Sequence, residues 1–175
     1  VELAEPVLLT VALLLVQMVC KMFEFREITH VDQIRSEMEP LLRQHYAELT
    51  LDQDIMALEP IWESYQRLFE QDQLFALGVY YLGGLIGYSV FFLRRHIHYA
   101  SNIIADNDVL FLAKSSRQGR LGIELIKESE RRLAARGVSK ITWHVKKSRD
   151  FRPILVRLGY VEEDIIMGRA LRGEK

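Results

Sequence analysis

A short basic loop carrying glycine sits between two apolar runs, and residues of those types at that spacing could bind a phosphate. Residues 108–113 (Asp-Val-Leu-Phe-Leu-Ala) read as a buried strand and residues 114–120 (Lys-Ser-Ser-Arg-Gln-Gly-Arg) as a polar loop. From Leu121 onward apolar residues return at helical spacing. A strand that feeds such a loop at a helix N-terminus gathers free backbone N–H groups and the positive end of the helix dipole at one point. Arg117 and Arg120 add charge and donors. Gly119 lets an anion approach the N–H groups of Gln118, Gly119, Arg120, Leu121 and Gly122 closely. The residues by themselves leave open an ordinary strand-to-helix turn with surface arginines.

Other clusters carry groups able to move a proton. Asp108 opens the strand before the loop. His96, His98 and Tyr99 lie close in sequence, and imidazole titrates near neutrality, which suits an acceptor pocket or a proton shuttle. The His-x-His pair lacks a clear third ligand, so no metal site is expected. His144 and Lys146 alternate with Trp143 and Val145 near a strand end, and His45 and Tyr46 follow the first helix. Each of these also has a plain structural role open to it, as a hydrogen-bonded corner, a solvated edge or a helix-end contact.

The elements that must position these groups follow from periodicity. Residues 23–28 alternate apolar and charged, as a strand with one buried face does. Thr29 and Asp32 resemble a capping box, and Val31, Ile34, Met38 and Leu42 recur at helical spacing, with Pro40 expected to kink or split the helix. A second helix is expected over about residues 52–70. Residues 74–82 and 85–93 flank Gly83-Gly84 as a hairpin. A third strand is expected over about 102–113, with period-two alternation placing Asp108, Leu110 and Leu112 on one face. The helix after the loop is expected over about 119–136, with Ile123, Ile126, Leu133 and Ala134 as its buried face and Gly137 ending it. A strand over 138–145, a short helix after Asp150 and a last strand from Tyr160 to about Ala170 complete the order β-α-α-β-β-β-α-β-α-β. That order means an α/β (α+β) domain with one mixed central sheet flanked by helices.

The chain has 175 residues, enough for one domain with a sizeable core. A net charge of −1 argues against a nucleic-acid partner, which usually requires a strongly basic face. The single cysteine, Cys20, cannot close an internal disulfide, which fits a cytoplasmic protein. Residues 7–20 are almost wholly apolar but shorter than the ~20 residues of a spanning helix. Residues 1–21 are therefore expected to be an apolar extension, a leader or a product of an upstream start, ahead of a domain over 22–175. A packed extra helix or a membrane anchor are the alternatives.

Residues 117–122 (Arg-Gln-Gly-Arg-Leu-Gly) resemble the pyrophosphate loop of the GNAT N-acetyltransferases, Arg/Gln-x-x-Gly-x-Gly/Ala, with Arg117 and Gly122 matching its ends and Arg120 replacing its middle glycine. Residues 23–29, 40–46, 87–92, 96–99, 141–146 and 158–160 are similar to a subfamily of that family found in phages and prophages. The resemblance implies acetyl-CoA as cosubstrate. Its pantetheine arm would lie along Leu110, Phe111 and Leu112, its pyrophosphate on residues 117–122, and His144 beside it. It implies direct attack by the primary amine of a small molecule or protein in a ternary complex, and it allows a homodimer. Asp108 takes the position of a carboxylate used as general base in some members. The tyrosine that many members use to protonate the leaving thiolate is replaced by Leu155, which turns attention to Tyr99 or a water. A non-catalytic module that binds coenzyme A or a protein partner is the alternative.

Overall fold

The computed structural model describes residues 23–169. Its elements are β1 (Phe23–Ile28), α1 (Val31–Leu49), α2 (Trp62–Glu70), β2 (Leu74–Tyr81), β3 (Gly84–His96), β4 (Tyr99–Leu112), α3 (Leu121–Ala135), β5 (Val138–Thr142) and α4 (Arg152–Arg157). The apolar segment 7–20 lies outside the described residues. Among those described, no helix is long and apolar enough to cross a membrane.

Five strands form one sheet in the order β1-β2-β3-β4-β5. β1 to β4 pair antiparallel, and β5 joins β4 in parallel after the α3 crossover. Side chains alternate across this sheet, so β1 to β4 feed two cores, and β5 adds Val138 and Ile141 to one of them. Ile28, Leu74, Ala76, Tyr88, Val90 and Phe111 pack with Ile34, Met38 and Leu41 of α1 on one face. Phe75, Leu77, Val79, Phe91, Leu93 and Ala105 pack with Leu121, Leu125 and Leu133 of α3 on the other. A buried pair of hydroxyls, Ser89 and Ser129 at 2.7 Å, joins β3 to α3, and Ser129 donates onward to the Leu125 carbonyl at 2.7 Å.

The expected mixed sheet flanked by helices is present, with several local differences. Pro40 does not split α1. The helix runs unbroken because Pro40 is exposed, so the carbonyl whose bond it removes is left to water. The cap of α1 is His30, with no side-chain hydrogen bond, instead of a Thr29 capping box. The second helix covers only Trp62–Glu70; ahead of it, residues 51–61 form a turn-rich segment in which Asp52 adopts positive φ. The hairpin turn is Leu82-Gly83, both residues at positive φ, one position earlier than Gly83-Gly84. The buried face of α3 is Leu121, Leu125, Ile126, Ser129 and Leu133, whereas Ala134 is exposed and Ile123 half-buried. β5 stops at Thr142, and residues 160–169 form no strand.

Candidate functional site

Two interruptions in β4 build the site. The first is a bulge. Val90 of β3 faces Val109, while Phe91 faces Asn107, so Asp108 is an extra residue without a partner. Asn107 holds this geometry. Its buried side-chain amide donates to the Val90 carbonyl at 3.2 Å and to the Val109 carbonyl at 2.9 Å. The bulge overturns the expectation that Asp108 shares a face with Leu110 and Leu112. Those two leucines pack on the α3 side, whereas Asp108 and Val109 line a cavity beneath α1 and α2. Periodicity alone does not register an inserted residue, and the part Asn107 plays in holding the bulge leaves no mark in the spacing.

The second interruption is a fork. β4 and β5 pair only as far as Asp106 and Thr142, whose side chains hydrogen-bond at 2.6 Å. Beyond that point β4 continues for six residues, to Leu112, while the chain leaves β5 through Trp143. On that side the backbone N–H and C=O groups of β4 have no β5 ladder to meet, which gives an extended ligand a strand edge to bond along. His144, exposed, and Lys146 stand on the opposite arm. Desolvation raises the Asp108 carboxyl above the usual carboxylate range, and the charges of His144 and Lys146 pull against that shift without cancelling it.

Asp108 has phenols for company. Tyr65 of α2 and Tyr88 of β3 line the same cavity, and both have pKa values raised, chiefly by burial and further by the Asp108 charge. Tyr88 is 1% exposed, and its hydroxyl has no hydrogen-bond partner among the described residues. His45 of α1 packs on Phe111 with ring centroids 5.3 Å apart; burial, helped by Lys146, lowers its pKa and favours the neutral imidazole.

The loop enters α3 as expected, with Gly119 at φ +74 and no side chain capping the helix. Its first N–H groups therefore point out of an uncapped N-terminus beside the exposed Gln118, Gly119 and Arg120. Arg117 is engaged elsewhere. Its Nε donates to the Leu112 carbonyl at 2.8 Å, and its two terminal nitrogens meet both oxygens of Glu48 at 2.5 and 2.7 Å. Arg149 reaches the same carboxylate at 3.2 Å, and Lys146 Nζ donates to the Leu49 carbonyl at 2.8 Å. The C-terminal end of α1 is thus tied to both arms of the fork.

The structure does not bring His98 and Tyr99 to this site. They belong to the β3–β4 hairpin tip, where His96 lies 4.6 Å from Tyr99 and 5.7 Å from His98 between ring centroids. The strand between Tyr99 and Asp108 spans roughly 30 Å at the usual rise per residue. Leu155 is buried in α4 at 6% exposure. Among the described residues no group of three or more His, Cys, Asp or Glu gathers as metal ligands would.

No family model matches the sequence, and no curated protein does. Solved structures do match the fold. An aminoglycoside acetyltransferase from an uncultured soil metagenomic sample superposes with a TM-score of 0.67 at 19% identity, covering 86% of this chain and 99% of that one. A ribosomal-protein-alanine N-acetyltransferase from Brucella melitensis gives 0.65 at 16% identity, with 86% and 99% covered. A GCN5-related N-acetyltransferase from Ralstonia eutropha gives 0.66 at 15%, again over 86% and 99%. At these identities the likeness is one of fold.

Proposed function

We propose that a chain with this fold, forked at β4 and bearing the Asp108 carboxylate at the fork, is an N-acetyltransferase that uses acetyl-CoA. The observation that carries the reading is the parting of β4 from β5 after Asp106 and Thr142, immediately before the bulge at Asp108. The residues present fit the cosubstrate. A free strand edge matches the amide groups of pantetheine, and the uncapped α3 N-terminus with Arg120 matches a pyrophosphate.

Acetyl-CoA supplies an activated acetyl group as a thioester. The chain's own work is to hold that carbonyl at the bulge, polarise it with a β4 N–H, and admit an amine beneath α1 and α2. Asp108 takes a proton from the incoming ammonium, and the free amine then attacks the thioester carbonyl. The new C–N bond forms as the C–S bond breaks, and the leaving thiolate takes its proton from water. Water suffices for that step because a thiolate is a good leaving group, so Leu155 does not forbid turnover. The position of Leu155 does favour a second reading, in which a phage-type module of this fold binds coenzyme A without turnover.

Calorimetric titration with acetyl-CoA tests the shared premise of both. Saturable micromolar binding, weakened about tenfold by Arg120→Ala, is the expected result. Transfer of labelled acetyl to an amine then separates the enzyme from the passive binder. A folded protein that takes up no acetyl-CoA would sink both.

A further inference from the structure

One carboxylate of α1 reaches both arms of the fork. Glu48 lies near the C-terminal end of α1, and its side chain is only 8% exposed. Arg117, from the loop that follows β4, donates to each of its oxygens, at 2.5 and 2.7 Å. Arg149, beyond the end of β5, reaches Oε1 of the same carboxylate at 3.2 Å. The Arg117 guanidinium is fixed on two further sides. Its Nε donates to the carbonyl of Leu112, the last residue of β4, at 2.8 Å, and its central carbon stands 5.3 Å from the centre of the Phe111 ring. Three of its five N–H donors are thus occupied within the protein. Withdrawing it toward a bound phosphate would strip a largely desolvated carboxylate of its bidentate partner, which is strongly unfavourable.

The fork is therefore pinned at both ends. At its base Thr142 donates to Asp106 at 2.6 Å, and at its open end Glu48 ties one arm to the other. Between these ties β4 presents an edge without a ladder, and an extended chain bonding along such an edge needs about 4.8 Å of lateral room. The ties fix that room before a ligand arrives, and preorganisation of this kind reduces the ordering that binding must supply. We propose that Glu48 is a positioning residue for the pantetheine arm, that Arg117 is its brace and not a phosphate ligand, and that the pyrophosphate is left to the α3 N-terminus and Arg120. Arg120 is free for that use: it is exposed, and among the described residues its side chain has no ion-pair partner. This inference rests on the acetyl-CoA reading and adds to it which groups hold which part of the molecule.

Calorimetric titration of the full chain with two ligands tests it: acetyl-CoA, and S-acetylpantetheine, which keeps the arm and lacks the pyrophosphate. Glu48→Gln and Arg117→Lys are expected to weaken both ligands by the same factor, about tenfold, and the double variant to be no weaker than either single one. Arg120→Ala is expected to weaken acetyl-CoA alone. A loss in Arg117→Lys confined to acetyl-CoA would make Arg117 a phosphate ligand and overturn the proposal. Tighter acetyl-CoA binding by Glu48→Gln would overturn it too, as the mark of an arginine released onto phosphate. Unchanged affinities in both variants, or a wild-type protein that binds acetyl-CoA but not S-acetylpantetheine, overturn it while leaving the acetyl-CoA reading intact. A wild-type protein that binds neither overturns both. Damage to the fold shows as fewer sites per chain at unchanged affinity, whereas a mis-set fork keeps its site and loses affinity. If Glu48→Gln does not fold, Glu48→Asp keeps the charge but is one methylene short of holding both arms. Equal losses for the two ligands are again expected, and unchanged affinity counts against the proposal.

Discussion

At the scale of single residues, the site turns on what surrounds one carboxylate. Asp108 is held off the β3 ladder by the bulge, raised in pKa by burial and partly restored by His144 and Lys146. A base works only when deprotonated, so its active form is lost as pH falls through that raised pKa, at a higher pH than for an ordinary aspartate. The expected pH profile of kcat/KM has an acidic limb that Asp108→Asn abolishes. That variant should lower kcat by about 10²- to 10⁴-fold and leave acetyl-CoA binding intact. A variant with wild-type kcat would remove Asp108 from the chemistry. Residue types did reveal this aspartate, but alternation assigned it the wrong face, since an inserted residue leaves no periodic trace. Asn107 illustrates what spacing cannot show. Its side chain replaces ladder bonds that the bulge removes, and nothing in a stretch reading Ala-Asp-Asn-Asp announces that use.

At the scale of elements, the legible parts were those that obey a single local rule. The strand-loop-helix at 108–135, the hairpin and the β1 alternation were readable because apolar spacing decides them. Turn residues were less so. The β2–β3 turn uses Leu82 at φ +50 although two glycines follow it, because the pairing of Tyr81 with Gly84 leaves Leu82-Gly83 as the loop. A branched residue in the left-handed region costs about 1–2 kcal/mol, and Leu82 is 75% exposed, so its side chain recovers little by packing. Leu82→Asn should therefore stabilise the protein by about 1 kcal/mol, read as a Tm higher by roughly 2–4 °C. An unchanged or lower Tm would remove the backbone strain at Leu82 from the account of stability. The β3–β4 turn defeated the sequence reading in another way. His96, His98 and Tyr99 cluster as a site would, but the length of the two strands carries them away from the fork, and strand length is a tertiary outcome.

At the scale of the whole molecule, stability and site share the sheet but use its faces differently. The α3 face is a packed core closed by charge pairs. Glu128 accepts from Arg131 at 2.7 and 2.8 Å and from Arg132 at 2.7 Å, and Arg132 reaches the Phe25 carbonyl of β1 at 3.0 Å. The Arg131 hydrogen bonds, followed by those of Arg132, hold the Glu128 carboxyl well below its ordinary 4.5, at about 2. Because the folded pKa is depressed, the unfolded chain takes up the proton first on acidification. The contribution is complete above about 4.5 and fades as pH falls toward 2. With allowance for solvent screening it amounts to about 1–2 kcal/mol. Denaturant unfolding should show Glu128→Gln destabilised by about that much at neutral pH, with the gap narrowing below pH about 4; a pH-independent gap would assign the loss to packing. The opposite face, under α1 and α2, is where an amine would enter. β4 belongs to both, and its extra residue separates their histories. Because Asp108 stands outside the ladder, three nucleotides could be removed from the gene at that codon and every other side chain of β4 would keep its side of the sheet. The alternation of β4 therefore does not depend on this carboxylate being present.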